Sequence, residues 1–95
     1  MKAKLIVEEE AVYPDGSFVR LTAWLVPKPV PPSRHLYKYS FVYIVSGERV
    51  LGYDNERGKG DHRHRHGQET SITFSTLQDL VDEFLSEVSN LRGEA

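Results

Sequence analysis

Apolar and polar positions alternate along the first half of this chain, and apolar positions fall at helical spacing near its end. From Ala3 to Glu10, Leu5 and Val7 share one face and Ile6 takes the other, as in a strand. Pro14, Asp15 and Gly16 then predict a turn: proline presets the first dihedral, aspartate bonds a nearby amide, and glycine accepts a positive φ. Ser17 to Val26 reads as a returning strand, rich in β-branched and aromatic residues, so the two segments form a hairpin. Leu36 to Val45 has the clearest strand pattern. There Tyr37, Tyr39, Phe41, Tyr43 and Val45 line one face, while Leu36, Val42 and Ile44 line the other. Ser46, Gly47 and Glu48 turn the chain into a fourth strand from Arg49 to Asp54, and Ser71 to Phe74 predicts a short fifth.

The C-terminal pattern is helical. Leu77, Leu80, Val81, Phe84, Val88 and Leu91 fall on one face, opposite Asp82, Glu83, Ser86 and Glu87. Ser75 is the expected N-cap, with Gln78 completing a capping box, and Gly93 suits the position just past the end. Between the hairpins, Pro27 to Pro32 holds four prolines in six residues, a stiff connector that cannot join a sheet interior. The resulting fold class is α+β: an antiparallel four- to five-stranded meander sheet packed against one C-terminal helix, with residues 1–95 forming a single domain. One sheet face carries the helix. The other is a candidate surface for RNA or a protein.

Composition narrows the classes of function. Net charge is −2 with histidines neutral, so any hold on phosphate must come from local clustering. The acids gather at Glu8, Glu9 and Glu10 and along the C-terminal stretch. There are no cysteines, which excludes disulfides, thiolate metal sites and cysteine nucleophiles and fits a reducing cytoplasm. No secretory leader is legible, and no apolar run approaches the ~20 residues that a membrane span needs. A cytoplasmic protein with no membrane association is expected.

The candidate chemistry lies between Tyr53 and His66. Within Arg57 to His66 fall three of the four histidines, four cations and two glycines. If the segment from His62 is extended, His62, His64 and His66 face one way and Arg63 and Arg65 the other. Three uses compete. The first is metal-independent phosphoryl chemistry, with His62 and His64 exchanging protons, Asp61 orienting an imidazole, and His35 joining if the hairpins bring it near. Lys59 and Arg63 would then bind phosphate, with Arg57, Lys38, Tyr53 and Asn55 as further RNA contacts. The second is a metal held by Asp61, His62, His64 and His66, against which Arg63 and Arg65 would act by repulsion. The third is a solvated basic loop, in which Asp54 or Asn55 merely stabilises a turn.

Longer strings carry a resemblance. Ser33-Arg34-His35-Leu36-Tyr37-Lys38-Tyr39 and the run from Gly47 through Tyr53-Asp54-Asn55 to Gly58-Lys59-Gly60-Asp61-His62-Arg63-His64 resemble the TumE-type toxins of prokaryotic toxin–antitoxin modules. Tyr13-Pro14-Asp15-Gly16, Trp24, Glu69, Phe74, Leu80 and Phe84 extend the likeness over most of the chain. The resemblance implies a small toxin neutralised by a cognate antitoxin that carries a DNA-binding domain. By analogy with other small toxins it implies a ribonuclease acting on RNA, with no cofactor expected. The alternative is a protein that grips nucleic acid or a nucleotide through the same loop without cleaving it.

Overall fold

A computed structural model describes residues 2–94. Six strands form one antiparallel sheet in chain order: β1 (Lys4–Val12), β2 (Phe18–Leu25), β3 (Tyr37–Val45), β4 (Glu48–Glu56), β5 (Gly60–Arg65) and β6 (Gln68–Ser71). One helix, α1 (Leu77–Leu91), follows. The α+β meander with a C-terminal helix is the architecture expected from the periodicity. The strand inventory differs at its end. The basic segment read as a loop is itself a hairpin, β5 and β6, and Ile72 to Phe74 run on beyond the sheet.

Periodicity explains which face is covered. Val19, Leu21 and Ala23 of β2, Tyr39, Phe41 and Tyr43 of β3, and Leu51 and Tyr53 of β4 point to one side, and all are buried. Against them α1 sets Leu80, Phe84 and Val88. Phe84 meets Phe41 and Tyr53 edge-on, with ring centroids 5.7 and 5.1 Å away, an orientation that aromatic quadrupoles favour. Fully burying one such side chain contributes about 1.5–3 kcal/mol, so this layer supplies the main drive to fold.

Helix ends follow local chemistry. Thr76, not Ser75, is the N-cap: its side chain accepts from the Asp79 amide at 3.0 Å, while Ser75 Oγ bonds the Asp79 carboxylate. Gly93 takes φ +75° directly after the C-cap Arg92, and its amide bonds Asn90, as expected of a glycine there.

The proline connector docks against the turn between β4 and β5. The Gly58 amide donates to the Pro31 carbonyl at 2.8 Å, and a side chain at Gly60 would come within 3.1 Å of Pro32 Cγ. Gly60 also has φ +76°, so both backbone and space require glycine at the start of β5. The connector thereby fixes where the histidine-bearing strand begins.

Candidate functional site

The strand conformation of β5 splits its side chains between the two sheet faces. His62 lies opposite Asp54 and His64 opposite Gly52 on β4; on β6 they face Ser71 and Glu69. These positions belong to the face away from α1, which also displays Trp24, Lys38, Val42 and Ile44. Arg63 and Arg65 point the other way, as the alternation predicts for an extended segment. Each reaches Glu87 of α1, at 3.4 and 3.1 Å. His66 lies past the strand, in the turn, at φ +49°.

On the open face three groups converge. Asp54 Oδ1 is 2.7 Å from His62 Nε2, and Asp54 Oδ2 is 3.7 Å from His64 Nε2. Ligand atoms of Asp54, His62 and His64 all lie within 4.8 Å of one another. Glu69 Oε1 completes the ring, 3.4 Å from His62 Nε2 and 3.6 Å from His64 Nε2. The two imidazoles meet edge-on, with centroids 4.6 Å apart. His62 is buried, and its Nδ1 donates to the Gly60 carbonyl at 2.8 Å. That bond leaves Nε2 as the lone-pair nitrogen of the neutral ring. Although Asp54 Oδ1 is close to it, neither atom has the alignment of a hydrogen bond with any described residue.

Charges around the cluster oppose one another. Burial and the Arg49 guanidinium hold the His64 pKa below the ordinary imidazole value, only partly offset by Asp54. Arg49 reaches this region because Gly52 carries no side chain: a Cβ there would come 3.1 Å from Arg49 Cδ. Lys59 Nζ lies 3.2 Å from Glu69 and 3.6 Å from Glu56. Hydrogen bonding to Lys59 lowers the Glu69 pKa, and the same contact raises that of Lys59.

Asp61 and His35 form a separate constellation on the helix side of the sheet. Asp61 Oδ1 accepts from the Tyr39 hydroxyl at 2.6 Å and lies 2.7 Å from His35 Nε2, while Oδ2 accepts from Ser33. His35 Nδ1 accepts from the Tyr37 amide at 3.2 Å, so the proton toward Asp61 sits on Nε2. The imidazole stacks on Phe74 with centroids 3.7 Å apart. Both nitrogens of His35 are thus engaged in holding the connector and the start of β3. The expected joining of Asp61 and His35 to the histidine pair is not what the register produces, because adjacent residues of β5 face opposite sides.

Two further candidates have structural duties. Tyr53 is fully buried, and its hydroxyl donates to Glu87 Oε1 at 2.5 Å; burial first, then that carboxylate, raise its pKa. Asn55, also fully buried, accepts from the Tyr39 amide at 3.0 Å and donates to the Tyr37 carbonyl at 2.6 Å. Neither can reach a phosphate without unpacking the core. Of the expected cations, Lys38 is on the open face, across from Trp24, and Arg57 is exposed in the β4–β5 turn. The sequence reading gave Asp54 only a turn role and gave Arg49 and Glu69 no chemistry. The alternation that places Asp54 beside His62 is readable only once the β4–β5 register is known.

The family model described as Toxin TumE matches residues 2–92. No curated protein and no solved structure matches the chain.

Proposed function

The chain belongs to the TumE toxin family, and on that premise we propose that it is the toxin of a toxin–antitoxin module and cleaves RNA at the Asp54–His62–His64 cluster. The observation that carries this reading is the convergence itself. Two imidazoles and a carboxylate, largely buried, face one another where a sheet surface would be expected to hold solvated polar or packed apolar groups. Desolvating such groups is costly, so a cluster without a chemical use would be disfavoured.

The surroundings suit a single-stranded nucleic acid. Trp24, 38% exposed, offers a stacking surface beside Lys38; Arg20, 5.5 Å from the Phe18 ring centroid, is already paired with Glu10 at 2.8 Å. Arg49 approaches the cluster across Gly52. A strand stacked on Trp24 would run three strands across the open face, from β2 to β5, toward Arg49 and the histidine pair. Cleavage through the 2′-hydroxyl needs that proton removed and the charge on the phosphorane oxygens offset.

The metal-free acid–base pair expected from the sequence asks for two imidazoles with a nitrogen free for substrate. His62 is buried and anchored through Nδ1 to the Gly60 carbonyl, with Nε2 2.7 Å from Asp54; His64 is the more accessible of the two. Expression in cells tests the proposal. Wild type should arrest growth unless the antitoxin is co-expressed, and His64→Ala, accumulating to the same level, should not. An equally toxic His64→Ala variant would overturn the assignment of the site.

A further inference from the structure

We infer that Asp54, His62 and His64 form a binding site for one divalent transition-metal ion of the zinc type, with Glu69 at its rim. This rests on the proposed function only for the ion's use, not for its binding. Three observations converge on it.

First, the nitrogen and oxygen spacing fits. Ligands at about 2.0–2.1 Å around a tetrahedral ion stand roughly 3.3 Å from one another. The pairs His62–Glu69, His64–Glu69 and His64–Asp54 stand at 3.4, 3.6 and 3.7 Å. Asp54 meets His64 through Oδ2 and His62 through Oδ1, and the His62 contact, at 2.7 Å, must open to admit an ion. Second, the hydrogen bonding is that of a ligand set. Histidine ligands usually donate their second nitrogen to a carbonyl or carboxylate, which fixes the ring and directs the lone pair at the metal. His62 does so toward Gly60. In the neutral ring its Nε2 and Asp54 Oδ1 are then two buried lone-pair atoms 2.7 Å apart, without hydrogen-bond alignment to any described residue. A cation placed off the line between them would satisfy both. Third, the repulsion that the sequence suggested is absent from this face. Arg63 and Arg65 lie behind the sheet against Glu87; of the cations on this side, Arg49 bears on His64 and Lys59 is paired with Glu69 at the rim, with Asp54 and Glu69 as the opposing carboxylates. An ion held there would polarise a phosphate oxygen and acidify a bound water.

The probe is Zn²⁺, or Co²⁺ for its visible absorption, added to tag-free, EDTA-treated and dialysed full-length protein. One equivalent should bind, raise the melting temperature and, with Co²⁺, give a ligand-field spectrum. Asp54→Asn and His64→Gln, checked for folding by circular dichroism, should weaken binding by about 100-fold or more. His66→Ala, in the exposed turn, should bind as wild type does. No binding by wild type, undiminished binding by both ligand variants, or loss of binding in His66→Ala would overturn the inference. Failure here can be told from failure of the proposed function. Absence of metal binding with RNA cleavage that persists in EDTA refutes the metal site alone, whereas stoichiometric binding without RNA cleavage refutes the reaction alone.

Discussion

The Tyr53 hydroxyl donates to Glu87 Oε1 at 2.5 Å, and the same carboxylate takes Arg63 at 3.4 Å and, through Oε2, Arg65 at 3.1 Å. One helix residue therefore ties the core of β4 and the basic strand β5 to α1. It also occupies Arg63, one of the cations that the sequence offers to phosphate. Removing it leaves a buried hydroxyl without its acceptor and two guanidiniums without their counter-ion. Glu87→Ala should lower stability by roughly 1–3 kcal/mol. Denaturant unfolding reads this directly, and a change within about 0.5 kcal/mol, as for an ordinary surface substitution, would show that the tie is weak.

Asn55 braces the backbone of β3 from within the core, bonding Tyr37 and Tyr39. Asn55→Ala orphans the Tyr39 amide and Tyr37 carbonyl, at a cost of about 1–3 kcal/mol for each unsatisfied group. Toxicity should fall only as far as the folded fraction does. An Asn55→Ala protein that is fully folded yet inactive would instead place Asn55 in the reaction.

Cations on the two faces should behave differently toward RNA. Lys38→Ala and Arg49→Ala should each weaken binding and reduce the slope of log K against log salt by about 1. Arg65→Ala should leave the slope unchanged, because Arg65 faces Glu87. Filter binding across a salt series distinguishes them; a reduced slope in Arg65→Ala would move the RNA surface to the helix side.

In metal-free protein His64 should titrate below the ordinary imidazole range, because burial and Arg49 disfavour its charged form. A depressed folded-state value means that its contribution to stability is fully present above about pH 6.5, the unfolded value. That contribution is lost as pH falls through the lower folded value. Arg49→Ala should raise the midpoint, observable by proton NMR of the imidazole in EDTA. An unmoved midpoint would show that Arg49 does not reach His64.

Much of this was legible in the residues, for identifiable reasons. The alternation of Tyr37, Tyr39, Phe41 and Tyr43 fixes a buried face, and Leu80, Phe84 and Val88 at helical spacing supply its cover. The opposition of His62 and His64 to Arg63 and Arg65 follows from strand geometry alone. Long-range register was not legible. Gly58, Lys59 and Gly60 read as part of one basic loop, whereas they turn β4 into β5 and bring Asp54 against His62. The same alternation sends Asp61 to His35 on the far face, and nothing local to either residue announces that partner. Thr76 displaced Ser75 as N-cap because both residues carry the needed hydroxyl and only the backbone decides between them.

The most direct measurement is incubation of purified protein with total RNA in zinc-containing buffer, beside His64→Ala of equal fold. Defined fragments from wild type alone are the predicted result. RNA left intact by wild type, or cut equally by the variant, would contradict cleavage at the Asp54–His62–His64 cluster.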